Sequence, residues 1–267
     1  MAANPDWRRC LIWLQRALLG SALFVWLPVA APGDQLCAPD RIDERARVRH
    51  VLDGDTVLLS DGRKVRLIGI NTPELSSAQS PAEAFAVAAR SALQQLLADS
   101  GFQVGVRYGS ERFDRYSRVL AHLFTRDGRN VQALLLQRGL AAPTVFPPNL
   151  WQHQCYWQTA QQARDARRGI WSLQRYQGIS PRAVRARGGG FYAVRGRIES
   201  VRRTRRSVWL NMGYDFALRI AKDDLLQFRK LAPESLRYKT VRALGWVSLS
   251  GQSSMRVRHP SQLEILQ

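Results

Sequence analysis

The stretch Gly54–Glu74, GDTVLLSDGRKVRLIGINTPE, decides the fold of the first half of the chain. Apolar and β-branched residues dominate Thr56–Ser60 and Lys64–Ile70, and the Asp61-Gly62 pair between them is a strong signal of a tight turn. The stretch therefore predicts a β-hairpin. If its turn centres on that pair, cross-strand partners have residue numbers that sum to about 123.

This register brings polar side chains together at the open end of the hairpin. It places Arg66 opposite Val57, and it puts Asp55 and Arg66 on one face, roughly 7–8 Å apart. Asn71 falls beside the corner that contains Asp55, and the chain then turns out of the strand towards Glu74. Acid, amide and guanidinium groups are therefore expected to converge there.

The residue types at this end suit the hydrolysis of a phosphodiester. Asp55, Asn71 and the carbonyl of Thr72 offer hard oxygen ligands, which calcium accepts readily. Glu74 can deprotonate or orient a water molecule, and the fork of Arg66 can hold a phosphate. Each residue alone has an ordinary structural explanation, such as a turn, a salt bridge or a cap. Their convergence favours a functional site.

A second stretch adds cations and an aromatic residue. Phe113–Arg118 (FDRYSR) precedes the predicted strand Val119–Phe124. Arg115 and Tyr116 suit contact with a phosphate and stacking on a base. The alternative is a basic surface loop.

The remaining elements of the first half follow from capping signals and periodicity. Ser80-Pro81-Ala82-Glu83 has the pattern of a capping box with proline at the first helical position. The further predicted elements are strands Arg45–Leu52 and Phe102–Tyr108 and helices Pro81–Ser100, Val131–Arg138 (capped by Asn130) and Leu150–Arg168. The fold class is therefore α+β, with a five-stranded OB-like barrel and three helices.

A glycine-rich seam separates a second, smaller unit. The predicted domains are residues 1–36 (targeting segment), 37–172 (first unit), 173–190 (linker) and 191–267 (second unit). In the second unit the pattern predicts strands Phe191–Arg202, Ser207–Met212, Phe216–Ile220, Thr240–Leu249 and Met255–Val257, with a helix Asp223–Leu231. Their order, β-β-β-α-β-β, is that of an OB-fold barrel.

The charge of the chain is strongly positive. It has 40 Lys and Arg against 21 Asp and Glu, a formal net charge of +19, and 36 of the cations are arginine. Such an excess favours polyanionic partners such as nucleic acid, anionic lipid or acidic glycans. An arginine-rich compositional bias on solvated surfaces is the alternative.

The first residues resemble a targeting segment. Arg8, Arg9 and Arg16 precede the apolar run Ala17–Ala31, which has the length of a secretory signal core and is short for a membrane span. Pro32 follows the small residues that would serve for cleavage. Export to the periplasm or medium, and membrane anchoring through an uncleaved segment, both stay open.

Two of the three cysteines lie beyond this segment. Cys37 and Cys155 would survive export as a pair, which suggests a disulfide. Two unrelated buried thiols are the alternative. The chain has no C-x-x-C or H-x-x-H spacing, so the sequence does not predict a zinc site.

Five blocks, in this order, resemble the staphylococcal nuclease family. They are Asp53-Gly54-Asp55-Thr56, Arg66–Glu74 (RLIGINTPE), Asp114–Arg118 (DRYSR), Gln137–Ala141 (QRGLA) and Arg168–Trp171 (RGIW). The resemblance covers roughly residues 45–172. It implies a barrel-plus-helices fold and calcium-dependent cleavage of DNA and RNA that leaves a 5′-hydroxyl and a 3′-phosphate.

The resemblance also implies residue roles. Asp55 would be a calcium ligand together with the Thr72 carbonyl, Arg66 and Arg118 would bind the scissile phosphate, and Glu74 would be the general base. Tyr116 resembles the tyrosine that lies near the nucleotide in that family.

Two positions depart from the family pattern. Asn71 stands where the best-known members have a second aspartate ligand, so a lower calcium affinity or another divalent ion is expected. Ser117 replaces a common glycine. The region of the family's later nucleotide-contacting tyrosines carries Val145-Phe146-Pro147 without an obvious match.

The second unit more weakly resembles the OB-fold nucleic-acid-binding modules that follow nuclease domains in some bacterial proteins. A cluster of arginines is expected between its first two strands: Arg202, Arg203, Arg205 and Arg206. Interleaved aromatic residues such as Trp209, Phe216 and Trp246 suit a groove that tracks a nucleic-acid backbone. For any one of these aromatics, a place in the core is the competing explanation.

Three functions fit these observations. The first is an exported or envelope-anchored, metal-dependent nuclease for DNA or RNA with little sequence preference. The second is a nuclease-like module that binds nucleic acid with weak or no cleavage. The third is an envelope protein whose arginines meet anionic lipid. Retention of Arg66, Glu74 and Arg118 favours the first.

Overall fold

The structure is a computed structural model that describes residues 36–78 and 80–266. The predicted targeting segment therefore lies outside the described residues, except for Leu36. No described helix combines the length and the apolar character that a membrane span requires. Residues Asp34–Gln267 form one compact unit.

The first half of this unit is a closed barrel with helices around it. Its elements are β1 (Glu44–Val51), β2 (Thr56–Leu59), β3 (Lys64–Leu67), β4 (Ile70–Asn71), α1 (Ala86–Asp99), β5 (Gln103–Phe113), β6 (Val119–Phe124), α2 (Val131–Gln137), β7 (Ala142–Pro143) and α3 (His153–Asp165). The barrel closes in the order β1-β2-β3-β6-β5, and its pairs are antiparallel except for the parallel pair β3–β6. The predicted five-stranded barrel with helices is confirmed.

The register of the β2–β3 hairpin differs from the prediction by one residue. Arg66 stands opposite Thr56, not Val57, so partner numbers sum to 122. The reason is the turn length: Leu59 N donates to Arg63 O, and three residues lie between them, with Gly62 at φ +91°. A two-residue turn gives odd sums, whereas a three-residue turn with glycine in the left-handed conformation gives even ones.

The predicted strand Lys64–Ile70 is interrupted. It ends at Leu67, and Gly69 adopts φ +85° at a point where a Cβ atom would lie 2.6 Å from the ring of Tyr156. After this turn β4 leaves the barrel and pairs with β7. Asn71 therefore sits opposite Ala142 instead of continuing the hairpin.

The first helix begins five residues later than predicted. Phe85, at φ +70°, precedes α1, and no side chain caps this helix. Glu83, the expected partner of Ser80 in the capping box, bonds to Glu74 instead: its N–H donates to Glu74 O at 2.9 Å, and its carboxylate accepts from Glu74 N at 3.1 Å. The other two helices fit better, since Asn130 caps α2 through Ala133 N at 3.0 Å and α3 lies inside its predicted range.

The second half is a sheet with the strand order of the first barrel. Its elements are α4 (Gln174–Gln177), α5 (Pro181–Arg187), β8 (Gly190–Arg197), β9 (Ser200–Arg203), β10 (Ser207–Asn211), β11 (Phe216–Ala221), β12 (Thr240–Ser248), β13 (Ser253–Arg256) and β14 (Leu263–Leu266). With β8 and β9 taken as one bent strand, pairing runs β9-β10-β11-β13-β12-β8, and β11–β13 is again the parallel pair. The prediction missed β14, and a 3₁₀ helix, Lys222–Phe228, replaces the predicted α-helix.

The two halves share packed apolar residues. Phe191 and Leu244 of the second half belong to the same buried cluster as the first barrel. The expected flexible seam, residues 173–190, contains α4 and α5. Of the aromatics predicted for a groove, Phe216 is a core residue at 1% exposure, whereas Trp246 is 42% exposed and packs 4.6 Å from the Phe191 ring centre.

Candidate active site

Asp55 is the centre of the polar cluster predicted at the hairpin's open end. Its carboxylate is buried, and Oδ2 accepts a hydrogen bond from Thr72 N at 3.0 Å while Oδ1 accepts from the Thr56 hydroxyl at 3.2 Å. Burial raises the pKa of Asp55 to about 7, and the positive charge of Arg66 is the strongest influence against that rise. The backbone of Asp55 is held by Asp53, whose Oδ1 accepts from Asp55 N at 2.9 Å.

Arg66 meets Asp55 directly, closer than predicted. Its Nη2 lies 2.8 Å from Asp55 Oδ2, and the same atom donates to Ile70 O at 3.1 Å. The side chain is 15% exposed. The observed register pairs Arg66 with Thr56, so Arg66 and Asp55 start from opposite faces of the hairpin. The long Arg66 side chain nevertheless reaches Asp55 at the end of the strand. Its orientation is therefore set before any substrate arrives.

Asn71 and Thr72 complete an oxygen-rich corner. Asn71 is 5% exposed, and among the described residues its side-chain amide has no hydrogen-bond partner. No N–H or O–H group in the described part of the chain donates to the Thr72 carbonyl. The close approach needs Gly54, because a Cβ atom there would lie 2.7 Å from Thr72 Oγ1. The hydrogen bond from Thr72 N to Asp55 thus brings a segment with an amide and a free carbonyl oxygen next to the carboxylate.

This donor set fits a hard divalent cation. Calcium and magnesium bind carboxylate, amide and carbonyl oxygens. Within residues 36–78 and 80–266, no three His, Cys, Asp or Glu side chains gather as a metal-binding group. Any ion would therefore depend on neutral oxygens as well as on Asp55.

Glu74 lies beside the same charges. It is an exposed residue, yet desolvation of its carboxyl group and the negative charge of Asp53 raise its pKa, while Arg66 and Arg118 oppose the rise. The positive charges of both arginines therefore act on the carboxyl group of Glu74. The structure thus brings the predicted base and the predicted cations into one neighbourhood.

The turn before β6 presents Arg118 and Tyr116. Asp114 organises it, because its Oδ1 accepts from Tyr116 N at 2.9 Å and Arg118 N at 3.0 Å, and its Oδ2 accepts from Arg118 Nε at 2.7 Å. Tyr116 is 64% exposed, and Arg115 Nη2 donates to its hydroxyl at 2.7 Å. Ser117 adopts φ +60°, which explains physically why glycine suits this position.

The arginines predicted for the second half are exposed but do not join this cluster. Arg202 and Arg203 lie on β9, and Arg205 and Arg206 lie in the turn to β10. Arg203 pairs with Glu234 at 2.5 Å. No described hydrogen bond or ion pair links any of the four to Asp55, Arg66 or Glu74.

Cys37 and Cys155 form a disulfide in the structure. Their sulfur atoms are 2.04 Å apart and their Cα atoms 5.8 Å apart, and the bond spans 118 residues of sequence. It ties the segment before β1 to the first turn of α3.

Three acidic residues of the site were not assigned from the sequence. Asp53 holds the backbone of Asp55, Asp114 holds Arg118, and Glu83 holds the backbone of Glu74. An aspartate two residues before the supported N–H is the pattern of an Asx turn, so Asp53 and Asp114 carried a local signal. For Glu83 the local signal was misleading, because its spacing from Ser80 matches the capping-box pattern of a helix start.

Comparisons with known proteins identify relatives of this chain. Residues 64–173 match the family model described as staphylococcal nuclease homologue. The chain is 33% identical to Thermonuclease of Staphylococcus intermedius over 128 residues, covering 46% of this chain and 74% of that protein. It is 28% identical to Thermonuclease of Staphylococcus hyicus over 134 residues, covering 49% and 77%. It is 31% identical to an uncharacterized endonuclease of Escherichia coli over 146 residues, covering 51% and 80%.

Proposed function

Because the chain belongs to the staphylococcal nuclease family, we propose that it hydrolyses phosphodiester bonds of DNA or RNA with little sequence preference, using a divalent cation, calcium in the first instance. The observation that carries the proposal is the ion pair between Arg66 and Asp55, 2.8 Å apart, beside Glu74, on whose carboxyl group the charges of Arg66 and Arg118 act. Cations, a base and oxygen ligands in one corner are the groups that this reaction needs.

Each group has a defined role in the proposed mechanism. Arg66 and Arg118 bind the phosphoryl oxygens and stabilise the charge that builds on them, and Asp55 and Asp114 hold these arginines in place. Glu74 accepts a proton from the attacking water. Asp55, Asn71 and the Thr72 carbonyl would hold the cation, which supplies Lewis-acid stabilisation of the phosphate when bound.

A cleavage assay with a matched carboxylate control tests this proposal. The purified full-length chain is incubated with single-stranded DNA or RNA in calcium, magnesium, manganese or chelator. We expect metal-dependent cleavage that falls by about a hundredfold or more in Glu74→Gln. Glu111→Gln, which changes an exposed carboxylate elsewhere on the barrel, should keep full activity. Equal cleavage by wild type and Glu74→Gln would contradict the mechanism.

Asn71 favours a second candidate, a nucleic-acid-binding module with weak cleavage. With Asn71 in place, Asp55 is the single carboxylate among the three proposed ligands. In Asn71→Asp we expect tighter calcium binding, measured by calorimetry, and faster cleavage at low calcium, because a charge is added to the ligand set. Binding of DNA without cleavage in both forms and in every ion would favour the module.

The exposed arginines of the second half are proposed to bind the nucleic-acid backbone. Arg202, Arg205 and Arg206 are exposed and have no acidic partner among the described residues. Changing all three to glutamine in the Glu74→Gln background should lower the salt dependence of single-strand binding, by a slope of about 2 if each contacts one phosphate. Arg185→Gln, at an arginine already paired with Asp215, is the control. An unchanged slope would remove this surface from the proposal.

We also propose that the protein works outside the cytosol, either released or anchored by its first residues. The disulfide between Cys37 and Cys155 supports this, because such bonds persist in oxidising compartments. Cell fractionation, with thiol alkylation before lysis, tests it. Recovery in the cytosol with both thiols alkylated would contradict it.

A further inference from the structure

The loop that carries Glu74 is closed by one residue, Glu83. Glu83 N donates to Glu74 O at 2.9 Å, and Glu83 Oε2 accepts from Glu74 N at 3.1 Å. The backbone of Glu74 is therefore held on both its donor and its acceptor side. Because one of the two bonds depends on a carboxylate side chain, the position of that side chain affects the position of Glu74.

The other carboxylate oxygen of Glu83 is bound by a residue that lies outside the first barrel and outside the family match, residues 64–173. Arg175, in α4, donates from Nη1 to Glu83 Oε1 at 2.7 Å. The same guanidinium donates to Phe191 O, in β8, from Nη2 at 2.9 Å and from Nε at 3.2 Å. One arginine thus connects the first strand of the second half to the Glu74 loop.

The negative charges near Glu83 make its ion pair with Arg175 important for the position of its side chain. Asp53 and Glu83 both act on Glu74 as negative neighbours. Arg175 is the one cation that forms an ion pair with Glu83 among the described residues. Without it, repulsion from the other carboxylates would favour rotation of the Glu83 side chain into solvent, and the bond to Glu74 N would be lost. The Arg175 and Glu83 side chains are 25% and 30% exposed, and ion pairs that water reaches contribute little to the stability of a fold.

We propose that Arg175 is a positioning residue for cleavage: it fixes Glu83, and through Glu83 the backbone of Glu74, against β8 of the second half. The inference rests on the proposed role of Glu74. We call the set Glu74, Glu83, Arg175 and Phe191 the clamp. It gives the second half a part in the reaction beyond any contact with nucleic acid, because β8 supplies the fixed point of the clamp.

The test compares two arginines that both bridge the halves. Arg175→Ala in the full-length chain should lower kcat about ten- to hundredfold with little change in KM, because the base is misplaced while substrate contacts remain. Arg164→Ala removes a similar bridge, to Glu264 at 2.7 Å, that does not reach the Glu74 loop, and it should keep kcat. Arg175→Lys should retain part of the activity, and added guanidinium ion should partly rescue Arg175→Ala.

A double-mutant cycle identifies the path. Glu83→Gln weakens the ion pair, so Arg175→Ala should cost little further activity in that background. Additive losses would show that Arg175 acts by another route. Equal losses in Arg164→Ala and Arg175→Ala would reduce the clamp to a general bridge between the halves, and unchanged kcat in Arg175→Ala would overturn it.

Hydrogen exchange at the Glu74 amide tests the clamp without measuring cleavage, so it can be decided separately from the proposed function. In Arg175→Ala, hydrogen exchange at the Glu74 amide should speed up by about tenfold or more, since the acceptor of that N–H is released. Arg164→Ala should leave this exchange unchanged. If the wild type cleaves nothing, the proposed function fails, yet the exchange still decides the clamp: unchanged protection in Arg175→Ala would refute it.

Discussion

The disulfide is expected to contribute strongly to the stability of the fold. Cys37 and Cys155 are 118 residues apart in sequence, and a cross-link of that span removes conformational entropy from the unfolded chain. The loop-entropy relation gives about 4.9 kcal/mol at 25 °C for such a loop. That is a large fraction of the roughly 5–15 kcal/mol that stabilises a folded domain.

The perturbation is the pair of substitutions Cys37→Ala and Cys155→Ala, made singly and together. Either one breaks the bond, so the double variant should lose little more than a single variant, and the coupling free energy should be about 4.9 kcal/mol. The melting temperature should fall by roughly 10–20 °C. Other contacts still hold the segment before β1: Asn130 Nδ2 donates to Cys37 O at 2.9 Å, and Arg107 pairs with Asp40 at 2.6 Å.

The assay is urea unfolding followed by tryptophan fluorescence and far-UV circular dichroism, whose transitions must coincide for the free energy of unfolding to be defined. Cys10→Ala serves as the control for removal of a thiol outside the bond. If the single losses add in full, or if each variant unfolds within about 1 kcal/mol of the wild type, the cross-link does not act through the unfolded chain as reasoned.

Further predictions concern the barrel. Ser117→Gly should stabilise the fold by about 0.5–1 kcal/mol, because Ser117 is held at φ +60°. Gly139→Ala should destabilise it by about 2 kcal/mol or more. Gly139 has φ +67°, and a Cβ atom there would lie 2.3 Å from the backbone carbonyl oxygen of Arg168. Gly62→Ala, at φ +91° with nothing within 4 Å, should cost only the backbone strain of about 1 kcal/mol. Burial lowers the pKa of His122 to about 3, so the unfolded state binds the extra proton at this site, and the contribution of His122 to stability falls as pH drops from 6.5 towards 3, by about 1.4 kcal/mol per unit. His122→Gln removes this contribution, so its stability relative to the wild type should change with pH by that slope, while the exposed His50→Gln should follow the wild type.

Denaturation curves decide these predictions. Equal losses in Gly139→Ala and Gly62→Ala would show that the close contact relaxes freely. A less stable Ser117→Gly would mean that the serine side chain makes up for its strained backbone. Parallel pH curves for wild type and His122→Gln, between pH 3 and 6.5, would show that the buried imidazole is protonated in the fold.

Local sequence was sufficient for the architecture of both halves. Short β-branched runs, a glycine turn and the order of strands and helices are local properties, and they predicted a five-stranded barrel with helices and a second β-rich unit. The cap at Asn130 was predicted for the same reason, since its partner Ala133 lies three residues away. The local pattern also selected Asp55, Arg66, Asn71, Thr72 and Glu74 as one candidate set, to which the family resemblance added Arg118.

Only the tertiary structure decided how these residues meet. The hairpin turn has three residues and not the two that were predicted, and this one extra residue changes the register. The alternation of apolar and polar residues in the strands fits either turn length. Glu83 was predicted as the capping-box partner of Ser80 because its spacing is right, yet it contacts Glu74 and Arg175, and the helix begins later. The sequence by itself determined which chemical groups are present and in which elements they lie. Contacts between residues 92 positions apart, such as Glu83 and Arg175, depend on how the two halves pack, and local propensity carries no information on them.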